Sequence, residues 1–228
     1  MNAALVAGCG VAGAAAAVWL PVDVVASDDG RTVADGPRPM PGTVLHQWWG
    51  RAMVVGTAAL WAGLAARVGT SWDLPPYLVV GAGLVALTVV DLRQRLLPRR
   101  IVWPLALAAL ALFGLAAGLN HDGDALVRAV LCAAGAYAVF FVLRLVNPAA
   151  LGGGDVTLAA VLGLALGWRS VEAVLNGFAV GVLLAAGFAL VALAARRVRA
   201  DTALSYGPFL AAGAMVVILA APSGRLLG

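Results

Sequence analysis

Apolar residues run along this chain in long blocks separated by short polar clusters. The blocks occupy residues 3–25, 52–68, 77–90, 101–119, 125–146, 155–168, 173–195 and 205–222. Several approach the roughly 20 residues that a transmembrane helix needs. Blocks 77–90 and 155–168 are shorter, so their polar ends must count toward their length. The pattern predicts an all-α, polytopic membrane protein with about eight transmembrane helices.

The breaks are as informative as the blocks. Residues 27–47 hold Asp28, Asp29, Arg31, Asp35 and Arg38 among Pro37, Pro39 and Pro41, which predicts a water-exposed loop. His46 beside Trp48 and Trp49 reads as an interfacial aromatic anchor, where the indole ring and its N–H each find a suitable medium. Pro98 is placed to stop or kink a helix. The tip Asn120, His121, Asp122, Gly123, Asp124 offers too few ligands for a calcium loop and reads as a solvated turn. The first block imitates two processing signals, a lipobox at Val6, Ala7, Gly8, Cys9 and a peptidase site at Val24, Val25, Ala26. Neither follows a basic segment, so an uncleaved first helix is expected. The domain plan is then a single membrane-embedded unit over 1–228. It has a first helix within 1–26, a short cytoplasmic loop at 27–47 and a seven-helix remainder, 48–228.

Composition agrees. Of the 228 residues, 63% are hydrophobic and 11% charged, with mean hydropathy +0.97, far from the half-apolar, quarter-charged balance of soluble domains. All 15 basic residues are arginines dispersed between apolar blocks, so the net charge of +4 does not point to nucleic acid. Cys9 and Cys132 sit in separate blocks, which excludes a zinc ribbon and gives no disulfide framework. The arginines speak instead to topology. Arg31, Arg38, Arg51, Arg93, Arg95, Arg99, Arg100, Arg144, Arg196, Arg197 and Arg199 fall on one side of the predicted bundle. Arg67, Arg128, Arg169 and Arg225 fall on the other. The positive-inside rule makes the first side cytoplasmic.

On that side, two carboxylates adjoin apolar blocks. Asp91 ends block 77–90, and Asp155 opens block 155–168 behind Gly152, Gly153 and Gly154, whose missing side chains let another backbone approach. The other nine acidic residues lie in loops or at membrane edges. A charge within a span costs roughly 2.5–3.5 kcal/mol on insertion scales, which makes such residues functional candidates. Two carboxylates near contact do not both ionise easily, and such a pair activates water and protonates a leaving amine. Two alternatives stay open on the residues alone. Asp91 pairs with Arg93 or Arg95 while Asp155 caps a helix, or the two serve as a proton relay in a small transporter.

Asp91 followed by Leu97 and Pro98, then Gly152, Gly153, Gly154, Asp155 and Val156 before a helix, resembles the type IV prepilin peptidases. These are membrane-embedded aspartic proteases of the GxGD kind. Tyr206, Gly207, Pro208, Phe209 and Leu210 resemble the family's closing motif. The resemblance covers the chain from about residue 77 onward. It implies catalysis by Asp91 and Asp155, with Gly152, Gly153, Gly154 and Pro98 where the substrate backbone approaches. It also implies no metal, and cleavage of short basic leaders from pilin-like precursors at the cytoplasmic face of the inner membrane. Three departures stand out. The loop 27–47 lacks the paired CxxC motifs of the larger, methylating members, so neither methylation nor S-adenosylmethionine is expected. Thr157 stands where a lysine is common. Ser205 replaces the first proline of the closing motif, and Arg99 follows Pro98. The small-residue pairs Gly114/Gly118, Gly163/Gly167 and Gly177/Gly181 are read as contacts within the chain, leaving the oligomeric state open.

Overall fold

A computed structural model describes residues 3–19, 44–94, 99–148, 151–195 and 206–220, with side chains over 3–13, 54–91, 102–148, 151–195 and 206–220. All regular structure among them is helical. The helices are α1 (Ala3–Trp19), α2 (Val44–Val68), α3 (Leu74–Gln94), α4 (Arg99–Asn120), α5 (Gly123–Val146), α6 (Gly153–Gly167), α7 (Val171–Ala194) and α8 (Gly207–Ala220). Four stretches, Leu74–Asp91, Val102–Asn120, Gly123–Val146 and Val171–Ala194, are long and apolar enough to cross a bilayer, and shorter apolar helices accompany them. The protein is a polytopic membrane protein.

Helix boundaries differ from the apolar blocks where polar or proline residues fit a helix end. α2 begins at Val44 rather than 52, so the last residues of the expected 27–47 loop are helical. Pro41 is the last residue of that tract without an N–H, and nothing in the sequence after it opposes a helix. Residues 20–43, which include most of that loop, lie outside the described residues, as do the side chains of His46, Trp48 and Trp49. α3 begins at Leu74 and takes Pro75 and Pro76 into its first turn, where their missing N–H groups would have had no partner. Gly69, at φ 76°, ends α2 by donating its N–H to the Ala65 carbonyl. The acidic tip at 120–124 is a tight connection. Asp122 caps α5 by accepting from the Ala125 N–H, and Asn120 donates to Asp73 (2.8 Å), joining this turn to the one before α3.

α6 is the centre. From Gly154 to Gly167 only Ala160 escapes full burial, and α3, α4, α5, α7 and α8 all pack on it. By contrast, α5 and α7 turn large apolar residues such as Leu131, Phe141, Leu183 and Leu190 outward, as lipid-facing helices do. The core joins Tyr77, Leu64, Phe113, Leu158, Leu162, Leu166 and Ile218.

Small residues set the closest approaches. A Cβ at Gly163 would lie 2.8 Å from the Cys132 carbonyl oxygen of α5, and one at Gly167 would lie 3.1 Å from the Ala129 Cα. Gly177 makes room for Leu166, Gly181 lies against Leu210, and Gly213 nests on the backbone of Gly177 and Gly181. Two of the three small-residue pairs therefore pack within the chain. The third, Gly114/Gly118, faces open space. Adding a methyl group should separate these cases. Gly213→Ala is expected to destabilise by about 1–3 kcal/mol, the usual range for overpacking, whereas Gly114→Ala should be neutral or mildly stabilising. Thermal unfolding of both variants in one detergent checks this.

Candidate active site

α3 and α6 run antiparallel. The Tyr77 hydroxyl, near the start of α3, donates to the carbonyl of Ala165 near the end of α6 (2.9 Å). Asp91 follows Tyr77 by about 21 Å of helix, and Asp155 precedes Ala165 by about 15 Å, at 1.5 Å per residue. Both carboxylates therefore lie at the same end of the bundle. Cα–Cβ bonds tilt toward a helix's own N-terminus, so on antiparallel helices these two lean toward one another. Asp91 is 2% exposed and Asp155 7%, and each lies within electrostatic reach of the other.

Local sequence explains how Asp155 is held. Gly152, in extended conformation, is the residue before α6, which places Asp155 in the first turn. Asp155 Oδ2 accepts from the Gly152 N–H (3.2 Å), one half of a capping box. A Cβ at Gly152 would lie 3.3 Å from that oxygen. Capping thus accounts for one oxygen of Asp155. It does not account for the other: Oδ1 is buried and accepts no hydrogen bond. Gly152 itself is exposed and Gly153 half-buried, so the route to Asp155 opens on the glycine side. Thr157, where a lysine is common, turns back on its own helix and donates to the Gly153 carbonyl (3.4 Å). Gly207 is buried at the start of α8 with Pro208 in its first turn. Pro98 and the side chains of Arg93, Arg95 and Arg99 lie outside the described residues.

At the opposite end of α6 the described residues form a dense set of bonds. Half-buried Arg128, from α5, donates through Nε to the Gly167 carbonyl (3.0 Å) and through Nη2 to those of Trp168 (2.8 Å) and Arg169 (3.2 Å). Arg169 Nη1 in turn reaches the Ile218 carbonyl near the end of α8 (2.7 Å). These two arginines were read above only as markers of topology. For Arg128 the signal missed was its place inside the apolar block 125–146, since a cation partly withdrawn from water demands acceptors. A groove of about 370 Å³ lies at this same end, lined by Asp124, Val127, Arg128, Leu131, Cys132 and Val171. None of the expected site residues lines it. Among the described residues no group of three or more His, Cys, Asp or Glu is placed to hold a metal.

Residues 78–195, which include Asp91 and the whole glycine–aspartate stretch, match the type IV leader peptidase family. The chain belongs to that family. Curated relatives named prepilin leader peptidase/N-methyltransferase agree. The Pseudomonas aeruginosa protein is 32% identical over 167 residues, 72% of this chain and 55% of the relative. The Bacillus subtilis protein is 31% identical over 163 residues, covering 72% and 62%, and the Aeromonas hydrophila protein 30% over 165, covering 72% and 55%. The chain thus spans little more than half the length of the leader peptidases it matches. No solved structure matches it.

The unmatched Oδ1 of Asp155 gives a stability prediction. Burying a carboxylate with an unmet acceptor costs free energy. Asp155→Asn should therefore insert normally and melt no lower than wild type in the same detergent. A clear fall in melting temperature would assign Asp155 to holding the helix start instead.

Proposed function

We propose that this protein is an aspartic endopeptidase that removes the leader from type IV prepilin-like precursors, with Asp91 and Asp155 as its catalytic pair. One observation carries the reading: two buried carboxylates from antiparallel helices share one end of the bundle, in a chain of the leader peptidase family. In this reading one carboxylate keeps its proton while the other, as base, takes a proton from a water held between them. The water oxygen attacks the scissile carbonyl, whose oxygen receives the proton of the acid. Collapse of the tetrahedral intermediate then breaks the C–N bond as the leaving amine is protonated. The glycines before Asp155 admit the extended substrate backbone, since a residue without a Cβ leaves room beside the carboxylate.

The arginine bias supports a site near the cytoplasmic face of the inner membrane, where the basic leader lies. The whole chain acts as one peptidase domain. The absence of CxxC motifs in 27–47 supports a peptidase without N-methyltransferase activity. Mass analysis of the processed N-terminus tests this point, and a methylated product overturns it.

The main test is cleavage of a candidate precursor by the full-length protein in liposomes. Asp91→Asn and Asp155→Asn should each lose at least about 10³-fold in rate, the order expected when one member of a catalytic set is removed. Unchanged processing in both variants rejects Asp91 and Asp155 as the catalytic pair, and no cleavage by wild type leaves the proton-relay reading. Wild-type cleavage should also fall on both the acid and the alkaline side of an optimum, because the pair works with a single shared proton. A flat profile through the acid range counts against the pair.

A further inference from the structure

If Asp91 and Asp155 form one reactive pair, the reading on which this inference rests, their spacing depends on how far α3 and α6 slide along one another. Sideways movement of α6 is blocked by the backbone contacts of Gly163 and Gly167 with α5. Sliding is a different matter. Apolar contact is non-directional and tolerates a shift along the axis, whereas a hydrogen bond stretched to 3.6 Å is no longer one. The bond from the Tyr77 hydroxyl to the Ala165 carbonyl is such a fixed point, buried and directly between these two helices. Ala165 supplies one of the last four carbonyls of α6, which the helix cannot satisfy by itself.

The phenol is held in place around that bond. Its ring meets Phe113 edge-on, with centroids 5.4 Å apart and planes at 88°, and Phe113 rests on Trp168 at 5.1 Å. Arg128 fixes the same end of α6 to α5 through three carbonyls. The end of α6 is therefore tied to α5, and Tyr77 hooks α3 onto it.

We propose that Tyr77 is a positioning residue for the aspartate pair: its hydroxyl bond to Ala165 sets the axial register of α3 against α6. It acts from the far end of the bundle. A helix is stiff along its axis, so a shift at Tyr77 arrives undiminished at Asp91.

Tyr77→Phe deletes the hydroxyl and keeps the ring, so the packing on Phe113 survives. The experiment compares kcat, KM and the pH profile of full-length wild type and variant in liposomes, after confirming that both Asp→Asn variants are inactive. Misplacement of reacting groups by about 1 Å costs up to about 10²-fold, so a partly relaxed register should lower kcat about tenfold. KM should stay within about twofold because the substrate-facing groups are untouched. The acid and alkaline limbs of the profile should move closer together as the carboxylates separate and couple less. Val80→Ala, a buried change on α3 without a hydrogen bond, serves as control: its melting temperature should fall while the limbs stay put. Tyr77→Phe with wild-type kcat and limbs overturns the proposal. So does a loss confined to melting temperature or to the amount of protein in the membrane, or an equal movement of the limbs in Val80→Ala. Retained cleavage in the Asp→Asn variants is a separate result, and it removes the catalytic pair itself.

Discussion

Enclosing a fifteen-residue helix inside a bundle imposes one constraint from which the rest of this structure follows. Among the described residues other helices surround the sides of α6, so the polar groups at its two ends must be met by protein or by water. At the Trp168 end the answer is protein. The phenol of Tyr77, the guanidinium of Arg128 and the turn N–H groups of Trp168, Arg169 and Ser170 take the terminal carbonyls one by one. At the Gly152 end the answer is sparer. A carboxylate of the first turn reaches back to one N–H, and its other oxygen is left without a partner.

The two ends divide the work between them. Close glycine contacts with α5 and the arginine bonds make one end of α6 rigid, and rigidity there is what gives an Asp155 some 20 Å away a defined position. The other end keeps one buried carboxylate oxygen without a hydrogen bond, a state that persists only where the surroundings over-determine it. Stability is concentrated where no chemistry is proposed and given up where it is, as expected when a reactive group must be held out of its most comfortable arrangement.

Much of this was legible in the chain. The number and order of the described helices follow the apolar blocks, because in a lipid environment every spanning segment must be apolar and satisfy its own backbone. The two carboxylates stood out for the same reason. Boundaries were less legible: Pro75 and Pro76 look like loop residues until the first turn of α3 is seen to need no N–H from them. Arg128 and Tyr77 were harder still. Their partners are carbonyls 39 and 88 residues away, and a backbone acceptor leaves no mark in a sequence. Residue type showed where chemistry was available, while the contacts that align it depend on how the helices fold against one another.

The length of α6 has a further consequence. At about 22 Å it falls short of a hydrocarbon layer roughly 30 Å deep. Lipid cannot thin to meet it, because neighbouring helices shut lipid out. The remaining depth falls to what adjoins its ends: the turn held by Arg128 on one side and, on the other, the exposed Gly152. For the proposed hydrolysis the consequence is one of distance: a short central rod leaves its first turn, and Asp155 with it, less far from the aqueous phase than a full-length span would.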